Sequence, residues 1–322
     1  MLNRRSVVAG LSLSAIAAPS LVRGAEPLTL WGPPAAPSLV LAVAVQNGLL
    51  RDIAPSASFK SWRSPDEMRA GLASGTMEAV VVPTYAALNL HNRGLGIRLA
   101  NVLTDGLLYL VAPAGTVRGP ADLKGKKVSV SLRNEMPDFI FRRVLAAAKV
   151  APADLTIDYS GSPAEVGQLL VSGQLDAALM SEPACTAVIT RAGMAGKPLE
   201  RAIDTRKAWA AITGRGAIPQ AGLAATDKLT ARIGADGLAA IQSALAKALD
   251  TIRQDPGAAA RAVAGTIDMP APVLERSIPH SSLVVRPASE AKDDLVALFK
   301  VLAESDPRII GGKLPEARFY AL

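Results

Sequence analysis

The chain has 322 residues, half of them hydrophobic, with a formal net charge of +7. A chain of this length buries about three-quarters of its unfolded surface and divides into domains. Its basic residues are scattered, with only short clusters such as Lys124-Gly125-Lys126-Lys127, which speaks against a nucleic-acid surface. Cys185 is the lone cysteine, so no internal disulfide forms and stability rests on packing.

At the N-terminus, Arg4 and Arg5 precede an apolar, small-residue stretch from Ser6 to Ala18, and Ala18-Pro19-Ser20 and Gly24-Ala25 then offer small residues to a peptidase. This is the anatomy of a secretory signal. The apolar run is shorter than the roughly 20 residues that span a bilayer. Residues 1–25 are therefore expected to be removed on export to the periplasm, which takes away Arg4, Arg5 and Arg23 and leaves a formal charge of +4. The Arg4-Arg5 pair hints at twin-arginine export, but Asn3 and Val7-Val8-Ala9 match that motif only in part, and Sec export stays open. Every later apolar run is interrupted by a charge or by Pro or Gly. The exported chain is thus expected to be soluble, and a monomer.

A weak internal repeat organises the rest. Leu28-Thr29-Leu30-Trp31 alternates like a strand, Gly32 to Pro37 forms a loop, and Ser38 opens an apolar helix. One hundred positions on, Val128-Ser129-Val130-Ser131 is the strand, Leu132 to Pro137 the loop, and Asp138 opens the helix. Ser64-Pro65-Asp66-Glu67 begins a helix that stops near Ser74-Gly75, followed by the strand Glu78 to Val82. Ser162-Pro163-Ala164-Glu165 begins another that stops near Ser172-Gly173, followed by Asp176 to Met180. Both openings read as capping boxes, with Ser accepting from the N–H three residues on and Glu reaching back. Proline stands at the first helical position and glycine at the stop. Strands alternating with helices imply βαβ units and mainly parallel sheets, hence two α/β lobes. The first copy is expected to continue through the strand-like runs Ile97 to Val102 and Leu107 to Ala112, and the chain to cross near 112–116. Leu199 to Ala211 is expected to lead back, with the return crossing near 212–222 and Ala221 to Ala225 the returning strand. The expected division is lobe one from 26 to 113, lobe two from 114 to 212, and a return to lobe one from 213 to 322. In the returning part, Leu238, Ile241, Leu245, Leu249 and Ile252 trace the packing stripe of a helix from Gly237 to Gln254.

Ligands of open parallel sheets bind beyond the carboxyl ends of the strands. The repeat thereby nominates four loops, each preceding a helix whose free N–H groups and positive dipole end suit an anion or a carbonyl. Lobe one offers Trp31, Gly32, Pro33 and Ser38, then Thr84 and Tyr85. Lobe two offers Arg133, Asn134 and Glu135, then Glu182. Trp31 is read either as a stacking platform or as lobe core. The Tyr85 hydroxyl is a candidate ligand contact. Arg133 is a bidentate clamp for a carboxylate, sulfonate or phosphonate, a partner of Glu135, or a side chain lying in solvent. Glu182 either meets a ligand amine or caps a helix. Trp62, at the end of the second strand, either roofs the cleft or packs inside.

Enzyme constellations are missing. His91 and His280 lack metal-ligand spacing, no G-x-S-x-G elbow occurs, and neither a P-loop nor a dinucleotide fingerprint is present. Cys185 falls inside an expected helix with no histidine near it in sequence, which reads as an inert buried thiol. No cofactor and no metal are expected.

The stretch from Gly119 to Val130, with Ala121-Asp122-Leu123-Lys124-Gly125-Lys126-Lys127-Val128 at its centre, closely resembles a turn of periplasmic solute-binding proteins. Ser74-Gly75 with Glu78-Ala79, Gly173 with Asp176-Ala177-Ala178, Glu182-Pro183 and Asn47-Gly48-Leu49-Leu50 match as well. Together they resemble the nitrate, sulfonate, taurine and thiamine-precursor binding group of ABC-importer receptors, over about residues 27 to 230. The resemblance implies the type II periplasmic-binding-protein fold, two lobes closing on a small organic or oxyanionic solute, and docking on an ABC permease in the inner membrane. It equally covers a pyrimidine-forming synthase and a menaquinone-pathway enzyme of the same fold, and a periplasmic sensor module. The synthase's cysteine-rich motif is absent, and both enzymes act in the cytoplasm, against the signal sequence.

Overall fold

Residues 27–159 and 161–322 are described by the structure, a computed structural model; the expected signal segment lies outside the described residues. The chain begins with five strands and three helices: β1 (Thr29–Gly32), α1 (Pro37–Gln46), β2 (Ser58–Ser61), α2 (Pro65–Ser74), β3 (Ala79–Pro83), α3 (Thr84–Asn92), β4 (Ile97–Leu99) and β5 (Asn101–Thr104). There follow β6 (Leu108–Pro113), β7 (Lys127–Val130), α4 (Met136–Ala147), β8 (Thr156–Asp158), α5 (Pro163–Val171), β9 (Ala177–Ser181), α6 (Ala184–Met194), β10 (Leu199–Asp204) and α7 (Thr205–Thr213). The chain closes with β11 (Ala221–Thr226), α8 (Asp227–Gln254), α9 (Pro256–Ile267), α10 (Ala271–Ser277), β12 (Leu283–Pro287) and α11 (Lys292–Ser305).

These strands form two sheets, in the orders β12-β5-β11-β3-β1-β2, with β4 also on β11, and β10-β6-β9-β7-β8. Within each sheet the repeat is visible as geometry. β1 lies parallel between β2 and β3, and β7 lies parallel between β8 and β9. Next to the third strand comes one of opposite direction: β11 against β3, with Gly222 opposite Val82, and β6 against β9, with Tyr109 opposite Met180. Those two reversed strands are the ones that enter each lobe from the other.

This settles where the chain crosses. Leu108–Pro113 was expected to finish lobe one, but it pairs with β9 and β10 and belongs to the second sheet. The first crossing is therefore at 105–107. The strand is apolar on both faces, with Tyr109 and Val111 in one cluster of lobe two and Leu110 and Ala112 in another, and such a run carries no sign of which sheet it joins. β10 also stays in lobe two, antiparallel to β6, and α7 packs on α4, so the return crossing is 214–220.

Both expected caps are present. The Ser162 hydroxyl accepts from Glu165 N (3.4 Å) while Glu165 accepts from Ser162 N (2.6 Å). The Ser64 hydroxyl accepts from Glu67 N (3.1 Å), but Glu67 reaches one residue further back, to Arg63 N (2.7 Å). Gly75, at φ 73°, closes α2 in the left-handed region that glycine enters without a Cβ clash. The expected stripe of α8 is buried, and the helix begins earlier than Gly237, with a break at Gly234. Alternate residues of β3 serve two cores. Ala79 and Val81 pack under α1, α8 and α9, whereas Val80 and Val82 face α3 and α11. That second core crosses the lobe boundary, because Met136, Ile140 and Val144 of α4 and Trp209 of α7 pack into it beside Trp62, Met68 and Tyr85.

Candidate functional site

The two crossing segments lie side by side. Ile218 N donates to Asp105 O (2.9 Å), and the Gln220 carboxamide oxygen accepts from Leu107 N (2.8 Å). Above them, the carboxyl ends of β1, β3, β7 and β9 converge on a cavity of about 150 Å³. Its wall comes from both lobes and the first crossing: Pro33, Pro37, Trp62 and Val82 on one side, Leu107 and Leu108 below, Leu132, Met136 and Pro137 on the other. Glu135, Ser181 and Gln220 stand at its edge, but its accessible wall is almost wholly apolar.

The lobes touch directly beside this cavity. Glu135, immediately before α4, accepts from Arg69 Nη2 of α2 (2.5 Å) and from the Tyr85 hydroxyl of α3. Burial pushes the Tyr85 hydroxyl well above its ordinary pKa and the Glu135 carboxylate adds to the shift, so Tyr85 stays protonated and donates to Glu135. Burial works against the Arg69 charge, but the hydrogen bond and charge of Glu135, with the smaller effects of Tyr85 and Asp66, together outweigh it and raise the guanidinium pKa. Phe139 packs edge-on against Tyr85, centroids 5.5 Å apart. On the other flank, Ala36 N donates to the carbonyl of Glu182 (3.2 Å).

The ten nominated residues divide into three groups. Pro33 lines the cavity, and Tyr85 and Glu135 form the bridge between the lobes. Gly32, Ser38 and Thr84 shape the walls. The Ser38 hydroxyl donates to Pro33 O (2.6 Å), and a Cβ on Gly32 would stand 2.2 Å from that hydroxyl. The Thr84 hydroxyl donates to Pro219 O (2.6 Å), tying α3 to the return crossing. The other four point elsewhere. Trp31 is half-buried under Lys60, whose ammonium sits 5.6 Å from the ring centroid. Arg133 is exposed over the Tyr159 ring at 5.4 Å, and Asn134, also exposed, gives its N–H to Asp138 (3.0 Å). Glu182 is fully buried in lobe two, where it accepts from Arg201 (2.6 and 2.8 Å) and from the hydroxyl and N–H of Thr186 (2.7 and 3.1 Å). It offers the cleft its backbone carbonyl rather than its carboxylate.

Arg69, Gln220 and Trp62 are the site residues that the repeat did not nominate or left ambiguous. Trp62 is both roof and core: it lines the cavity, is 7% exposed, and donates its indole N–H to Val81 O (3.0 Å). Gln220 had one visible signal, a carboxamide between Pro219 and the apolar strand β11. Arg69 had none beyond being a cation on a helix near the cleft. A wider groove of about 740 Å³ runs along α3, α4 and the turn at Asp306, but its Arg69, Arg142 and Arg308 are paired with Glu135, Asp138 and Asp306. It lies outside the point where the strand ends meet.

Elsewhere, Cys185 is a buried free thiol, raised in pKa by burial and then by the charge of Glu182, as expected of an inert cysteine. His91 bonds Ile97 O (2.7 Å) and packs edge-on against Phe319, a structural role.

No family model matches the chain, and no curated protein matches it in sequence. Solved structures do match in fold. An ABC transporter protein from Parabacteroides distasonis superimposes with TM-score 0.76 at 21% identity, covering 91% of this chain and 98% of its own. The periplasmic aliphatic sulphonate-binding protein SsuA of Escherichia coli gives 0.69 at 16%, over 87% and 86% of the two chains. The periplasmic nitrate-binding protein NrtA of Synechocystis gives 0.60 at 14%, over 78% and 69%. With its two βαβ lobes, paired crossings and interlobe cavity, the chain has the two-lobed periplasmic-binding-protein fold.

Proposed function

We propose that the chain is the solute-binding receptor of an ABC importer, exported to the periplasm, which closes its lobes on a small organic solute and presents it to a permease in the inner membrane. The observation that carries this reading is the cavity itself. It is walled by matching loops of both lobes, and only the segments 105–107 and 214–220 connect those lobes covalently. A solute touching both walls stabilises the closed arrangement over any open one, and a permease that reads closure reads occupancy. Among the described residues no helix is long and apolar enough to cross a membrane, and no group of three or more metal-binding side chains occurs.

The test is a thermal-melt screen of small organic solutes and oxyanions on the exported protein, run in parallel on Ala35→Trp. Ala35 lines the cavity, and an indole there fills it. A binding solute raises the melting temperature by mass action, and the rise is expected to vanish in Ala35→Trp while the variant still folds. A rise that survives the plug would place the solute outside the cleft and remove the basis of the proposal.

A further inference from the structure

The strand ends that meet at the cavity are where an anion would be held, and the chain spends the donors there on itself. α1 and α4 each carry a proline in the first turn, Pro37 and Pro137, which has no N–H to give. Next in α1, Ser38 N and Leu39 N turn to Ala35 O and Ala36 O (both 3.0 Å), and Ala36 N donates to Glu182 O. Ahead of α4, Glu135 N donates to Leu132 O (3.1 Å) and Asn134 N to the Asp138 carboxylate (3.0 Å). At the start of α3, Thr84 N donates to Gln220 O (3.1 Å). At α6, the Glu182 carboxylate takes the N–H of Thr186 (3.1 Å). Asp138 and Glu182, both fully buried, thus take N–H groups that an incoming oxyanion would need.

The side chains repeat the pattern. Among the described residues, no lysine, arginine or histidine lines this cavity. Arg133 is exposed over Tyr159, and Arg69, at the flank, is bound to Glu135. The wall that a ligand meets is Pro, Val, Leu, Met and Trp carbon. A charge entering it would give up its hydration with no partner in return. Water fares no better, since an ordered molecule needs roughly two to four polar partners. The volume of about 150 Å³ equals that of an apolar protein cavity that stays dry and accepts benzene.

Resting on the receptor reading above, we infer that the cleft takes a neutral, wholly apolar molecule about the size of a benzene ring. It is held by contact and by the release of water rather than by hydrogen bonds. Nitrate, sulfonates and carboxylates are refused.

Three matched probes test this on the full exported protein by calorimetry: toluene, phenol as the same shape with a hydroxyl in place of the methyl, and benzoate as the charged counterpart. Toluene is expected to bind about tenfold more tightly than phenol, whose hydroxyl leaves water without finding a partner, and benzoate not to bind. Ala35→Trp, which fills the cavity, is expected to abolish the binding of toluene. The comparison of probes on the unaltered protein stands even if that variant folds poorly. Phenol binding as tightly as toluene, no binding of toluene, or tighter binding of benzoate or nitrate would each overturn the inference. If an oxyanion binds and Ala35→Trp abolishes it, the receptor reading survives and only the ligand class falls. If toluene binds equally well to Ala35→Trp, both fall.

Discussion

Two glutamates at the cleft show how the same side chain takes opposite duties. Glu135 reaches across to Arg69 and Tyr85 in the other lobe, whereas the Glu182 carboxylate stays within its own. The Glu182 carboxylate is fully buried, and its Arg201 partner has 19% of its side chain exposed, so little solvent screens the pair. Removing one partner of such a pair leaves the other charge uncompensated, typically at a cost of about 3–5 kcal/mol. Glu182→Ala is therefore expected to lower the urea-unfolding free energy by about that much. Arg133→Ala, at an exposed position, should change it by less than about 0.5 kcal/mol. Equal, small losses from both would show that the Glu182 network is not structural. In sequence, both glutamates precede an expected helix at a strand end, and nothing local tells them apart; the difference is made by Arg69 and Arg201, contributed by remote elements.

At the scale of elements, the crossings are anchored to lobe one by a chain of charges. Arg286 of β12 bonds Asp105 of the first crossing and Asp294 of α11, both at 2.8 Å, and Asp294 also accepts from Arg215 of the return crossing (2.7 Å). Burial alone would raise the Asp294 pKa, but the two guanidiniums overcome it and hold the carboxyl below its ordinary 3.8. A depressed carboxyl stabilises the fold fully above its unfolded pKa and loses that contribution as pH falls through the folded value. Asp294→Asn is thus expected to reduce stability near neutral pH and to unfold with a shallower dependence on acid below about pH 4. An unchanged acid profile, followed by circular dichroism, would show that the network does not bear on folding. The elements themselves were largely legible: caps, the α8 stripe and the βαβ order follow from local spacing. The partners of β6 were not, because a strand apolar on both faces fits either sheet. The bridge and the Gln220–Leu107 bond were not either, since they depend on α2 and on a crossing segment meeting loops far away in sequence.

For the molecule as a whole, the two lobes meet through few polar contacts over an apolar seam. Arg69–Glu135, Tyr85–Glu135 and Ala36–Glu182 are hydrogen bonds between the lobes that flank the cavity, and the Tyr109 hydroxyl donates to His280 O (2.8 Å) elsewhere along the seam, with α4 and Trp209 packed into the core of lobe one. Hydrogen bonds to charged groups contribute about 1.5–3 kcal/mol. Arg69→Ala should accordingly shift the balance toward open forms by about tenfold or more. Small-angle scattering should report a larger radius of gyration for Arg69→Ala without solute and recovery of the compact value with it. Indistinguishable curves would mean that the bridge does not govern closure.

The reversed strands carry a consequence for how the protein comes into being. Lobe two is complete between Leu108 and Thr213, since β6 to β10 pair only among themselves. Lobe one is not complete until β11 arrives, because β11 stands between β3 and β5 in the middle of its sheet, and Gly222 must find Val82 and Ala221 must find Thr104. A chain that emerges N-terminus first therefore holds an unfinished N-terminal half while the inserted lobe closes first. The exposed flank of β3 is an unpaired edge for all that time, and such edges invite pairing with other chains. The order of assembly is thus written into the topology rather than into any one residue.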